Sequence, residues 1–310
     1  MVELAFYLDL GIRGEEVEIF IPLGSSAKEI AEKLEEEGLI SQNRFLAFFF
    51  LFKSDDRLLP GRYSFRIGES VNQIVGKLIR GPQSLVKVTF PEGFSSEQMG
   101  EVLEAEKICS KEEYLALVQK PQLFNREYLR SFDSLEGVLF PDTYFFPSPY
   151  SAREVIEAQL SRFEQVVIPH FPQKENLSLF EIVTLASIVE KEAKLPEEKA
   201  TVASVFINRL NQNMRLQSCA TVVYAIYQEE GKKVTTLTNK DLEIDSPFNT
   251  YIVKGLPPQP ICNPGWDSIQ AVLEPDQTDY LYFVLNEEQG KHVFSRTYQE
   301  HLNHKNGGDW

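Results

Sequence analysis

Two carboxylates, Glu190 and Glu192, close an apolar run that begins at Leu179, with Lys191 between them. At ~100° per residue, Leu179, Val183 and Ala186 fall within about 40° of Glu190 on a helical wheel. Ile182, Leu185, Val189 and Ala193 widen that apolar arc. The spacing predicts a helix that turns Glu190 into its buried stripe and leaves Glu192, with Glu181 and Thr184, facing solvent. Ile188 on the polar side predicts cover on more than one face. A carboxylate in apolar surroundings is costly unless it is protonated, paired or at the floor of a cleft. Burial favours its protonated form, which suits a general acid near neutral pH. Glu190 is therefore the candidate catalytic residue. The competing expectation is a buried ion pair with Lys194, one turn on. Asp142 and Glu136 are reserve carboxylates, expected to be structural or to support the site.

Three polar segments follow: Met214 to Thr221, Ser246 to Tyr251, and Gly255 to Gly265. They are dense in amides, hydroxyls and tyrosine, and proline stiffens them. Gln217, Ser218, Thr221, Tyr224, Asn249, Thr250, Tyr251 and Asn263 are the candidate substrate-binding residues. Neutral amides and hydroxyls can bond sugar hydroxyls and N-acetyl groups, and tyrosine offers a stacking face. Such loops are poor holders of phosphate or metal, so no cofactor is expected. The four histidines lack HExxH spacing, and Cys109, Cys219 and Cys262 form no CxxC motif, so no metal site is expected. The cysteines read as small half-buried residues; if a bridge forms, Cys219 with Cys262 is the expected pair.

The elements that must carry these groups are partly written in the sequence. Gly24-Ser25-Ser26, Gly68-Glu69-Ser70 and Gly93-Phe94-Ser95 each place a serine two residues after a glycine. Three residues after each serine stands Glu29, Gln73 or Gln98, the spacing of a capping box. A β-like run precedes each glycine, so the unit is strand, turn, helix, used three times. Unequal separation argues against a solenoid. Arg80-Gly81-Pro82-Gln83 punctuates the chain between the second and third units. That gives an N-terminal part over 1–82 and a larger part over 83–310. Pro196 opens a second central helix running to Leu210, and Tyr280 to Val284 with His292 to Ser295 reads as a hairpin turning at Gln289-Gly290. The fold class expected is α+β.

The chain has 310 residues, 46 acids against 31 bases and a net charge of −15. A polyanion needs a basic footprint, so a nucleic-acid partner is not expected. Phe45 to Phe52 is less than half the ~20 residues of a membrane span and reads as one side of a buried helix. The opening MVELAFYLDLG carries no basic segment followed by an apolar one, so no signal peptide is expected.

The motifs LEGVLFPDTY, ASIVEKE, VFINRL, MRLQSCATVVY, SPFNTY, GLPPQPICNPG and HVFSRTYQEH, in that order, resemble the MltG/YceG-like endolytic murein transglycosylases. The match runs from about residue 15 to 305. The resemblance implies a LysM-like front subdomain and a catalytic domain in which Glu190 stands for the acid/base. It implies cleavage inside peptidoglycan strands between N-acetylmuramic acid and N-acetylglucosamine, leaving a 1,6-anhydro end. It further implies a working domain outside a bacterial cytoplasmic membrane, an N-terminal membrane anchor that these residues do not contain, and partners among cell-wall synthases such as penicillin-binding proteins. One glutamate suffices for that chemistry because the sugar's own 6-hydroxyl replaces an outside nucleophile, so Glu190→Gln should abolish cleavage and Glu192→Gln be mild. Cys219-Ala220 stands where members often have Asp-Pro, and Val138 and Phe248 stand where tyrosine is common. Rival readings are a non-catalytic glycan-binding scaffold, a lysozyme-like hydrolase, and a pyridoxal-phosphate lyase, for which no glycine-rich phosphate cradle is visible.

Overall fold

A computed structural model describes residues 15–22, 24–52, 58–82, 85–171 and 177–306. The opening segment 1–14 and Gln83 lie outside the described residues. The first part holds strand β1 (Glu16–Ile21), helices α1 (Ala27–Glu36) and α2 (Gln42–Phe52), strand β2 (Gly61–Arg66) and helix α3 (Val71–Arg80). Then come β3 (Leu85–Thr89), α4 (Ser96–Ala105), α5 (Lys111–Val118), β4 (Thr143–Pro147) and α6 (Ala152–Val166). The central helices are α7 (Leu179–Glu192), α8 (Pro196–Asn211), α9 (Cys219–Glu230) and α10 (Trp266–Leu273). The chain closes with β5 (Tyr282–Asn286), β6 (Lys291–Ser295) and α11 (Tyr298–Lys305). Among the described residues the strands form three two-stranded antiparallel sheets, β1 with β2, β3 with β4 and β5 with β6. The fold class is α+β.

The three repeated units form as the spacing predicts. Ser26, Ser70 and Ser95 each cap a helix through a complete capping box. The glycines before them, Gly24, Gly68 and Gly93, all take positive φ, the conformation a side chain resists. Buried hydrophobic residues gather into two clusters, one from Ile19 to Leu78 and one from Val88 to Val272. Phe20 meets Tyr150 edge-on at 4.8 Å, and Arg62 reaches Glu154 at 3.2 Å across the two.

Helix α2 departs from expectation. Phe45 and Phe49, one turn apart, are buried, but Phe50 and Leu51 are 61% and 75% exposed. Only one stripe of that aromatic run is covered. The terminal hairpin is present, displaced so that Asn286 pairs with Lys291.

Helix α7 is buried almost all round, from Ile182 to Val189. Its two interior hydroxyls are satisfied locally, Thr184 donating to the Phe180 carbonyl and Ser187 to that of Thr184. Ser187 also accepts from the Ile261 N–H, which docks the proline-rich loop onto the helix. Thr184, expected on a solvated face, is buried because α8, α9 and α10 pack around α7.

The first turn of α7 is closed by Ser178, whose oxygen accepts from the Glu181 N–H while Glu181 reaches back to the Ser178 N–H. Ser178→Ala should cost ~1 kcal/mol and lower the melting temperature by ~2–4 °C. An unchanged melt would mean that packing alone holds this helix end.

Candidate active site

Two residues along an α-helix subtend ~200°, so Glu190 and Glu192 leave α7 on nearly opposite faces. Glu190 turns inward. Lys199 Nζ lies 3.4 and 3.3 Å from its two oxygens, the Gly265 N–H donates to Oε2 at 3.0 Å, and the Ser268 hydroxyl donates to the same atom at 2.6 Å. Its side chain is 9% exposed and that of Lys199 5%. Gly265 and Ser268 begin α10, so the carboxylate sits at the positive end of that helix. The partner is Lys199 rather than Lys194, which is exposed. The reason is local: Ala193 is extended (ψ 109°), which ends α7 before Lys194. Pro196 then starts α8 and carries Lys199 back across Glu190.

The third strand-turn-helix unit closes over this ion pair. A Cβ on Gly93 would stand 3.3 Å from Glu190 Cγ, and one on Gly265 would fall 2.0 Å from the Glu92 carboxyl carbon. Gly93 also takes a positive φ, which favours glycine there, whereas at Gly265 the half-exposed Glu92 side chain could swing aside. Burial, with Glu190 nearby, pushes the Glu92 carboxyl above its ordinary range. Glu190 is thus held by Lys199, Gly265 and Ser268, a joint between α7, α8 and α10. Of the settings expected for a carboxylate on that stripe, the paired one is present, with Lys199 in place of Lys194.

Glu192 has a different setting. The wheel puts it in solvent; instead it is half-buried, with the Ser218 hydroxyl donating to Oε1 at 2.5 Å and the Ala220 N–H at 3.3 Å. Ser218 stands at the N-cap of α9 but spends its hydroxyl on Glu192 rather than on its own helix. Among the described residues no donor reaches Oε2.

Six of the eight proposed binding residues gather at this second carboxylate. The Gln217 N–H donates to the Thr250 carbonyl at 3.1 Å and the Ser218 N–H to Thr250 Oγ1 at 3.0 Å. The Thr221 and Thr250 hydroxyls lie 2.8 Å apart, and Cys219 Sγ is 3.2 Å from the Tyr251 hydroxyl. Asn249 ties its loop by donating to the Leu242 and Ile244 carbonyls and accepting from the Tyr251 N–H. Ser218, Thr221, Asn249 and Thr250 are buried, so they hold the loops rather than face a ligand. Gln217 is exposed and Tyr251 half-buried, leaving these two to reach one. Tyr224 lies farther along α9, its hydroxyl accepting from Gln259.

Asn263 belongs elsewhere. Fully buried, it accepts from the Gly137 and Leu139 N–H groups and donates to Glu136 at 2.8 Å. Glu136 also accepts from the Ser96 N–H and hydroxyl, so one carboxyl joins three loops. Burial pushes Glu136 up to about 7, against the pull of its hydrogen bonds to Ser96 and Asn263. Asp142 pairs with Arg162 at 2.7 Å. Both reserve carboxylates are thus bonded to groups of the protein. All three cysteines are free; Cys262 is buried and Cys219 exposed, so the pair considered from sequence does not form. Among the described residues no cluster of potential ligands could hold a metal ion, and no helix is long and apolar enough to cross a membrane. The sequence reading missed Lys199 and Ser268; the Pro196 boundary was the available signal for the first.

The chain matches the model of the YceG-like family over residues 19–307. A Bacillus subtilis protein named endolytic murein transglycosylase is 34% identical over 302 residues, covering 92% of this chain and 82% of that protein. A Streptococcus pneumoniae protein of the same name is 30% identical over 314 residues, and this chain spans 57% of its length. A crystal structure of a YceG-like protein from Listeria monocytogenes superposes with a TM-score of 0.64 at 33% identity, covering 94% of this chain and 99% of that one.

The Glu136 junction carries a pH signature. A carboxyl raised in the folded state gives stability that is complete below its ordinary value of 4.5 and is lost as pH rises through about 7. Glu136→Gln keeps the shape and removes the ionisation, so its unfolding free energy should decline less than the wild type's over that interval, by up to ~3 kcal/mol. Parallel stability-pH curves would contradict the assignment.

Proposed function

The chain belongs to the YceG-like family, and we propose that it is an endolytic peptidoglycan lytic transglycosylase whose acid/base is Glu192 rather than Glu190. The observation that carries this reading is the arrangement around Glu192. One carboxylate oxygen is fixed by Ser218 and Ala220, the other is unclaimed among the described residues, and the polar loops converge beside it. A general acid must present an oxygen to the linkage it protonates. Glu190, with both oxygens turned to Lys199, Gly265 and Ser268, would have to break a buried ion pair to do so.

The substrate would be a glycan strand cut between N-acetylmuramic acid and N-acetylglucosamine. Protonated Glu192 gives its proton to the glycosidic oxygen as the bond from C1 to that oxygen breaks. The resulting carboxylate then takes the proton of the muramic acid 6-hydroxyl as O6 closes on C1. The product is a 1,6-anhydro end, no water is consumed, and Glu192 regains its proton. Ordinary glycosidases divide this work between two carboxylates. A tethered hydroxyl, with its large effective concentration, makes one sufficient. Gln217 and Tyr251 are placed to touch the sugar, and the buried hydroxyls keep their loops in register.

Such a substrate puts the working surface outside a cytoplasmic membrane, and cell-wall synthases remain the partners the chemistry suggests. The two separate hydrophobic clusters favour a division near residue 82, with a LysM-like front part and the chemistry in 83–310.

Digestion of purified glycan strands by two isosteric variants tests the assignment. Glu192→Gln should lower the cleavage rate by ~10²-fold or more with an unchanged melting temperature. Glu190→Gln leaves the buried Lys199 with only Glu92, at 3.8 Å, so it should lose stability, by at most roughly 3–5 kcal/mol, while its folded fraction still cleaves. Full activity in Glu192→Gln would return the role to another group or favour the non-catalytic scaffold.

A further inference from the structure

Beside the Glu192 site lies a cavity of about 630 Å³, within the usual size of a small-ligand site. Its near edge is Ala220, the residue whose N–H donates to Glu192, together with Lys191. One wall is the outward side of α9, with Tyr224 and Tyr227 one turn apart; the facing wall is the start of α4. Gln98 and Gln259 line it, and among the described residues each amide has only part of its bonding capacity in use: Gln98 accepts from the Ser95 N–H, and Gln259 donates to Tyr224. Of the charged residues on its lining, Glu97 pairs with Lys111, Lys232 with Glu230 and Lys233 with Glu101, while Lys191 at the near edge donates to the Gly93 carbonyl. At the floor, the buried Glu136 carboxyl is bonded to Ser96 and Asn263.

A cavity lined mainly by neutral amides and tyrosine surface, with most of its charged side chains paired and one lysine at its edge, suits an uncharged polar ligand better than a charged peptide. We infer that this cavity is a sugar subsite, holding an N-acetylated saccharide unit of the same strand on one side of the linkage that Glu192 attacks. The inference rests on the proposed function. It adds that this chain grips the strand away from the cut, as an enzyme that cleaves internally must. Tyr227, half-buried on the cavity wall, is the residue most open to a ring stacking on it.

Tyr227→Ala and Tyr227→Phe test it with two readouts. On long glycan strands, Tyr227→Ala should raise KM ~10-fold with a smaller change in kcat and shift the products to different lengths, whereas Tyr227→Phe should behave as wild type. Separately, titration with an uncharged N-acetylglucosamine oligomer should show binding by wild type and Tyr227→Phe that Tyr227→Ala loses, with equal melting temperatures throughout. The titration does not require cleavage, so a wild-type chain that binds the oligomer without cutting strands overturns the proposed activity and leaves the subsite supported. Unchanged KM, product lengths and binding in Tyr227→Ala would overturn the subsite. So would a KM penalty that vanishes on strands stripped of their peptides, which would make the cavity a peptide site.

Discussion

The last turn of α7 is held against α8 and α10 by one buried ion pair, Glu190 with Lys199, completed by the Gly265 N–H and the Ser268 hydroxyl. Taking two charges out of water is costly, and their attraction offsets that cost only when further donors satisfy the carboxylate. Here they do. With Glu190 fixed against α8 and α10, the helix cannot turn, and Glu192 two residues on must emerge on the other side, against the start of α9. The ion pair therefore does its work at a distance, by deciding where a neighbouring carboxylate points.

What surrounds Glu192 is a frame of hydroxyls and amides bonded to one another. Thr250 accepts from the backbone at 218 through its hydroxyl and from that at 217 through its carbonyl, while Thr221 shares its hydroxyl and Asn249 knots the loop behind. Groups buried in this way cannot reorganise cheaply, so the Ser218 hydroxyl on Glu192 stays in position when a substrate arrives. Fixed dipoles beside a reacting group cost no rearrangement at the moment of reaction.

Local features were legible in the sequence. Capping boxes at Ser26, Ser70 and Ser95, the Pro196 helix start and the terminal hairpin all depend on residues a few positions apart. The wheel also placed Glu190 on the buried face correctly. It could not say what waited there, because Lys199 reaches Glu190 only after the chain breaks at Ala193 and restarts, and Ser268 arrives from 78 residues away. The same blindness made Glu192 look solvated, since its cover comes from α9. Asn263 and Asn249 were recognisable as polar and special, but an amide that ties backbone and one that meets a ligand have the same spelling. On α2, the run Phe45 to Phe52 read as one side of a buried helix, while packing covers Phe45 and Phe49 and leaves Phe50 and Leu51 exposed.

The account stands or falls on whether a single carboxylate works with a hydroxyl supplied by the sugar itself. Wild-type protein digesting purified glycan strands in heavy-oxygen water, with products weighed by mass spectrometry, addresses this most directly. New ends one water lighter than a reducing sugar, with no solvent oxygen incorporated, are the predicted result. Reducing ends carrying the heavy label would contradict it, because water would then be the nucleophile and Glu192 would need a second carboxylate beside it.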